Sequence, residues 1–589
     1  MFARNLFGKS LLLAAAVLLL AGCGKDAERP DTSKRRREMV GRAIRLYGGI
    51  HPLRSSRLGI RRCDSLLFTF SPVELENSVQ AAETLIDDIA KLGASGAGQR
   101  DIDNLSLILN WLKGELLAFE SLVFHKRNPL LYCWMVEEAL FGIPSRVEPP
   151  YDGELAAYRK RLSRIPALLE NASILLDTAA ESHIKIALTR LEDCTRRLGR
   201  LRAAVLKRYG ERAPEIDGAE RAMEEYREFI FRNLASQPRG SLILGTENLS
   251  RILLFDEFLS PDPNAIVEEA EKTIRKLKNQ VRALRERRET ILREGTSGGG
   301  HGNDRMRAVS DSSIGDPATR QKSYPEKSEG YEEKVKRIIA ETGARTAAGK
   351  PAAEAGGDLS VAVSRGNPLY LGDLAKSTYL TVPYPAWRSL YAYVTPPFSG
   401  APCRAEFIIS GEAPELEPPR LTYELIKLSL TANGIDILLC EEPDSVRIIF
   451  GGTTFREGWI QHNLDEAIKL FPAMQDSLRI MLLDERIRAL ARMVVAFRFH
   501  SGAMTSEASA RYLIRNIKLT QGEAENDVAR VSISPPILYP GISILLIDEM
   551  KQRISLGKGV RDPHGELHRM LNENRGLPLS MIRDKIPEG

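Results

Sequence analysis

Residues 266–291 read IVEEAEKTIRKLKNQVRALRERRETI, and within them Ile266, Ala270, Ile274, Leu277, Val281, Leu284 and Ile291 recur at steps of three and four. Arg, Lys and Glu fill the positions between. A strand would need apolar residues at every second place, whereas this spacing draws one stripe along a helix of 3.6 residues per turn. The stretch is therefore an amphipathic helix, its stripe packed on a larger core and its charges facing outward. The same pattern extends upstream to about residue 39. Ser71-Pro72-Val73-Glu74 offers a capping hydroxyl, a proline at the first helical position and a carboxylate three residues after the cap. Together these satisfy amides that a helix start leaves unpaired, so a helix is expected from here to about Lys91.

Downstream the character changes. Residues 296–330 hold almost no branched apolar side chains and begin with a Gly/Ser run, as a disordered insertion would. Gly295-Thr296-Ser297-Gly298-Gly299 matches GxSxG in form only, because a serine elbow needs a strand before it and a helix after it. Thr346 to Gly357 reads as another loop. Beyond residue 375, Ala405 to Ser410 and Val446 to Phe450 have the composition of short strands. Leu421 to Leu430, Glu457 to Phe471, Ser477 to Phe499 and Ser506 to Asn516 read as helices. The expected fold is mainly α, a large two-lobed helical assembly with a small β-sheet, built as one unit or as two closely packed domains. Its parts are a leader at 1–22, a tether at 23–38, an N-terminal helical lobe at 39–295, the insertion at 296–330 and a C-terminal lobe at 331–589.

The leader carries Arg4 and Lys9, then an apolar run from Leu11 to Leu20, shorter than the ~20 residues a spanning helix requires. It ends in Leu20-Ala21-Gly22-Cys23, which places a thiol for acyl-glyceride attachment, so a bacterial lipoprotein beginning at Cys23 is expected. Several acyl chains, at about 0.8 kcal/mol per buried methylene, would hold the body firmly to a membrane. Gly24 stands where an Asp would mark inner-membrane retention, so the periplasmic face of the outer membrane is the expected address. The formal charge is only +5 and aromatics are 6% of the chain, with no basic patch interleaved with them, which excludes a nucleic-acid partner. Lys34-Arg35-Arg36-Arg37, the one basic cluster near the anchor, reads as a solvated helix start. The other cysteines (Cys63, Cys133, Cys194, Cys403 and Cys440) are odd in number and widely spaced, unlike a disulfide framework or a zinc knuckle.

Several segments carry a resemblance. Asn128-Pro129-Leu130-Leu131-Tyr132, Arg161-Leu162-Ser163-Arg164-Ile165-Pro166 with Leu169-Glu170-Asn171-Ala172, and Leu244-Gly245-Thr246-Glu247 are followed in order by Tyr391-Ala392-Tyr393 with Pro396-Pro397. Then come Glu457-Gly458-Trp459, Arg492 with Val494-Val495, His500, Arg530, Tyr539, and His568 with Leu577-Pro578-Leu579. This collinear set resembles the bacterial domain-of-unknown-function 885 family, which implies a helical zinc-peptidase fold of the zincin kind, often lipid-anchored. That family's motif, HE-x-x-PGHH followed by EGW, supplies imidazoles for Zn²⁺ and a Glu that deprotonates the bound water. Here the matching stretch is Ser429-Leu430-Thr431-Ala432-Asn433-Gly434-Ile435-Asp436. Ser429 replaces the first His, Leu430 the general base, and Ile435 and Asp436 the later pair. Leu464 takes the second acidic position after EGW. No zinc cofactor is expected there, because a hydroxyl and one carboxylate are poor Zn²⁺ ligands.

Glu457, His500 and Tyr539 remain as candidate lining of a cleft that binds without cutting, although His500 and Tyr539 are equally readable as packing and Glu457, a former zinc ligand by the resemblance, reads mainly as a first-turn acid favoured by the helix dipole. His564-Gly565-Glu566-Leu567-His568 sets two imidazoles at a metal-compatible spacing, but its Glu is misplaced for a metallopeptidase and the pair reads mainly as surface or packing histidines. The leading expectation is a tethered pseudo-peptidase holding a peptide, envelope polymer or protein partner. Alternatives are a hydrolase with relocated residues around His500, Glu457 and Asp436, or a structural envelope protein.

Overall fold

The computed structural model describes residues 32–297 and 444–587 apart from short breaks, together with segments 360–365, 390–394, 404–409 and 419–427 and Leu430. The chain is mainly helical. Its first half comprises α1 (Thr32–Ile50), α2 (Pro52–Arg57), α3 (Pro72–Leu92), α4 (Gln99–Leu116), a π-helical turn (Leu117–Leu122) and α5 (Phe124–Arg127). It continues with α6 (Pro129–Phe141), α7 (Glu154–Leu162), α8 (Ile165–Leu175), α9 (Glu181–Tyr209), α10 (Glu215–Phe229), α11 (Thr246–Glu257) and α12 (Pro263–Ser297). Three short strands, β1 (Ser360–Arg365), β2 (Leu390–Val394) and β3 (Arg404–Ile409), pair in the order β1-β3-β2, with β1 parallel and β2 antiparallel to β3. The last part holds α13 (Ser445–Phe450), α14 (Thr453–Lys469), α15 (Gln475–His500), α16 (Ser506–Ile517), α17 (Gln521–Ile533), α18 (Tyr539–Leu556), α19 (Pro563–Glu573) and α20 (Leu579–Arg583).

The stripe on α12 is buried as its period requires, with Ile266 and Ala270 fully covered and Ile274, Leu277 and Val281 nearly so. This face packs chiefly on α15. Each large aliphatic side chain buried here contributes about 1.5–3 kcal/mol, against at most about 1 kcal/mol for an exposed ion pair such as Lys272–Glu269 on the outer face. Burial, not charge, fixes the helix. At the far end the expectation fails: Ile291 is 53% exposed, because α12 has run past its partner there.

The largest core joins the two ends of the chain. Ala43, Leu85, Ile108 and Leu112 from α1, α3 and α4 meet Leu253 and Ile266, and then Leu490, Val494, Ile542, Leu546 and Leu571 from the last third. A second core lies wholly within residues 53–234, around Tyr132, Phe141, Tyr158, Leu198 and Tyr226. A third and smaller one gathers Leu421, Tyr423, Ile426, Leu430, Leu464 and Leu482.

Local chemistry explains the element boundaries. The Ser71 hydroxyl caps α3 by accepting from the Glu74 amide, while Glu74 reaches back to the Thr69 amide and hydroxyl, both at 2.7 Å. Two boundaries depart from the sequence reading. Helix α1 begins at Thr32, so residues 32–38 are helical, and Arg36 is buried with its guanidinium near Asp101 and the Gly96 carbonyl rather than solvated. Val446 to Phe450 is a helix and not a strand: Asp444 caps it by accepting from the amides of Val446 and Arg447. Its buried residues Val446, Ile449 and Phe450 fall at helical steps, and the Tyr47 ring meets Phe450 edge-on at 5.5 Å. Periodicity over so short an apolar run does not separate the two structures.

Candidate functional site

The sequence candidates disperse. Cys23, Ser429, Ile435 and Asp436 lie outside the described residues. Leu430 is 1% exposed in the third core, beside Leu464. His500 is fully buried at the end of α15, its Nε2 2.9 Å from the Val531 carbonyl, and its own carbonyl receives the Gly245 amide. Tyr539 starts α18 and donates to Asp256 Oδ2 at 2.6 Å. Glu457 is half-buried on α14. Next to it, Gly458 is where a Cβ would stand 2.5 Å from Leu579 Cδ1, and Trp459 is 1% exposed. The Glu-Gly-Trp segment is thus held by packing against Leu577-Pro578-Leu579, another segment of the resemblance.

An apolar cleft lies elsewhere, among α2, the loop before α3, and the α4–α6 region. Leu53, Phe68, Phe70 and Met135 are its buried apolar floor, and Phe119, Phe124, Leu131 and Trp134 stand half-exposed around it. The cavity itself is small, about 70 Å³, well under the roughly 300–1,000 Å³ of drug-sized small-molecule sites. The backbone is bent to make it. A π-helical turn at Leu117–Leu122 ends in Val123 at φ 41°, and Phe70 sits at φ 56°. A bulky side chain in the left-handed region costs on the order of 1–3 kcal/mol and persists only where its surroundings enforce it, commonly at ligand sites. The surroundings here are aromatic: Phe70 meets Phe68 edge-on at 4.9 Å, stacks on His125 at 5.8 Å and meets Tyr132 edge-on at 5.6 Å.

Polar groups enter this apolar frame at few points. Glu115 Oε1 accepts from Trp111 Nε1 at 2.8 Å and lies 2.7 Å from His51 Nε2, while Glu115 Oε2 is buried without a partner. Asn128 caps α6 through its side-chain oxygen, and its Nδ2 is likewise buried and unpartnered. Burial, reinforced by Lys126, pushes the His125 imidazole down to about 4, so the ring is neutral near pH 7. The Arg54 guanidinium lies 5.7 Å from the Trp134 ring centre. The arrangement suits an apolar group of modest size. It lacks the nucleophile and base pair that acyl transfer needs. Sequence reasoning passed over this pocket; Phe68-Thr69-Phe70 and Phe119 with Phe124-His125, in a chain with few aromatics, were the available signal.

A second cluster surrounds Trp459. His462, on the same helix, is fully buried, and its ring stacks on His564 with centres 4.2 Å apart and lies 5.6 Å from His568. His568 in turn lies 5.1 Å from the Trp459 ring. Burial, with His564, Lys551 and His568 adding to it, drives the His462 imidazole down to about 2. Burial and His564 lower His568 as well. The sequence reading saw His564 and His568 but not the third ring, which reaches them from a distant segment.

Two solved structures share the fold over nearly their full length. One is from Shewanella oneidensis and is assigned as a lipoprotein of unknown function, with a TM-score of 0.64 and 12% identity, covering 94% of this chain and 99% of that one. The other, from Colwellia psychrerythraea and also assigned as a lipoprotein, gives the same score and identity over 95% and 99%. At this identity the likeness is one of fold. No protein-family model matches the chain, and no curated protein matches it in sequence.

Proposed function

We propose that this protein is an envelope lipoprotein, anchored through Cys23, that binds a peptide or other envelope molecule by an apolar group and does not hydrolyse it. The carrying observation is the pocket lined by Leu53, Phe68, Phe70, Phe119, Phe124 and Trp134, with Val123 and Phe70 held at positive φ beside it. The absence of imidazoles and a general base from Ser429 to Asp436 supports binding over cutting. The collinear segments described above support descent from the domain-of-unknown-function 885 family, with the zincin-like cleft degenerate. The leader and the two lipoprotein neighbours support lipid anchoring, and no described helix is long and apolar enough to cross a membrane.

A neutral naphthylamine probe, fluorescent only in apolar surroundings, tests the pocket. The protein is expected to bind it saturably, and Leu131→Trp, which fills the entrance with added volume, should weaken binding at least tenfold while helicity stays unchanged. Equal binding by the two proteins would reject the site. Cys23→Ser should move the protein from washed membranes to the soluble fraction.

A further inference from the structure

We propose that the aromatic pocket and a second hollow beside it form one groove for a basic, extended peptide segment, which seats an apolar side chain in the inner cavity and lays flanking lysine or arginine residues along α3. This rests on the apolar reading of the pocket and adds the charge and form of its ligand. Phe119 and His125 border both hollows. The outer one is far roomier, about 520 Å³, and opens against the solvent side of α3. Leu75, Val79 and Phe119, all half-buried, give it an apolar floor, and Glu76, Gln80 and Glu83 are exposed at its edge. Steps of four and three put those three polar residues on one face of the helix.

The charge of this edge is one-sided. Glu74, just before it, is engaged by Arg164 at 2.6 Å, whereas neither Glu76 nor Glu83 enters an ion pair or hydrogen bond among the described residues. Lys126 is the one cation in the lining, so two carboxylates face one ammonium. His125 adds no charge near pH 7, because burial holds its imidazole down at about 4. A cationic ligand is therefore attracted and an anionic one repelled. The spacing of the carboxylates suits a peptide. Seven residues of helix separate Glu76 from Glu83, about 10.5 Å along the axis. In an extended chain, residues two places either side of an apolar one share its face and stand roughly 13 Å apart. The flexible stems of two lysines span that difference.

The test is calorimetric titration of the full chain in detergent with acetylated, amidated pentapeptides, leucine at the centre, alanine on each side of it and lysine or glutamate at both ends. The lysine peptide is expected to bind about fivefold tighter or more, with the preference fading in high salt. Exchanging its leucine for alanine should weaken it. The double variant Glu76→Gln/Glu83→Gln, at exposed positions where glutamine keeps the helix, should erase the preference, and Lys126→Gln should strengthen it. The proposal is overturned if the two peptides bind alike, if neither binds, or if the double variant keeps the preference. Those results leave the pocket itself standing as long as the neutral naphthylamine binds. Failure of the naphthylamine together with indifference to the leucine would overturn pocket and groove alike.

Discussion

Replacing Glu257 by alanine should loosen the start of α14 and with it the helix that carries Glu457, Trp459 and His462. Gly452, the capping residue of α14, has no side chain to accept the first amides of that helix. The carboxylate of Glu257, at the end of α11, does so from a distant part of the chain. Its Oε1 accepts from the amides of Thr453 and Thr454 at 2.6 and 3.2 Å, and its Oε2 from the Thr454 hydroxyl at 2.6 Å. That hydroxyl also accepts from the Leu579 amide at 3.1 Å, so one carboxylate organises three segments. Alanine strands two buried donors on Thr454 at about 1–3 kcal/mol each and removes a negative charge from a helix N-terminus, worth up to ~2 kcal/mol when partly buried. Because these share atoms and do not add fully, a loss of roughly 3–5 kcal/mol is expected in urea unfolding followed by circular dichroism. Amide exchange in peptides covering residues 453–460 should quicken by about 100-fold or more. Glu257→Gln keeps one acceptor oxygen and should fall between. A cost below about 1 kcal/mol for alanine, with exchange unchanged, would refute the capping role.

Asp64 is fully buried and accepts both terminal nitrogens of Arg146, at 2.7 and 2.8 Å, with Ser56 and Tyr151 completing its shell. Burial alone would raise its carboxyl, but these partners outweigh that and hold it below the ordinary range. Its contribution is thus fully present above about pH 4 and lost only as pH falls through the lower folded value. Asp64→Asn should cost about 1–3 kcal/mol at pH 7, through the lost charge of Arg146's main partner, Glu154 at 3.4 Å and Ser56 still remaining to it, and urea midpoints of the two proteins should converge only well below pH 4. Gly452→Ala puts a Cβ 2.5 Å from Pro578 Cα, a backbone atom that cannot swing away. A loss of about 1–3 kcal/mol in the same assay is expected, and a neutral result would show that the two segments can part.

The helical architecture was legible because it rests on local signals. The α12 stripe, the Ser71 cap and the long apolar helices at 475–500 and 506–517 follow from period and capping chemistry alone. Val446 to Phe450 was misread because five residues cannot display a period, and what makes them helical is the Asp444 cap, a signal available but outweighed by β-branched composition. The pocket was not legible for a different reason: its floor comes from Leu53, Phe68, Phe70 and Met135, which only the packed chain brings together. The histidine cluster was half legible. A spacing of four on one helix is visible in sequence, but the ring that completes it stands on α14, and no local rule links the two helices.

Packing also alters what the resemblance implies. Glu457-Gly458-Trp459 and Leu577-Pro578-Leu579 carry part of the resemblance to a zinc-peptidase pattern, and taken as chemistry their presence without the matching imidazoles would be puzzling. In the fold they need no catalytic reason. Gly458 admits the Leu579 side chain, Gly452 admits the Pro578 backbone, and Trp459 fills the main core. Asn128 likewise caps α6 while Pro129 occupies its first turn, and His500 ties α15 to the Val531 carbonyl. Each such residue is constrained by a contact that has to be kept if the helices are to meet at all, and Leu430, where the resemblance would place a general base, is itself packed in the third core.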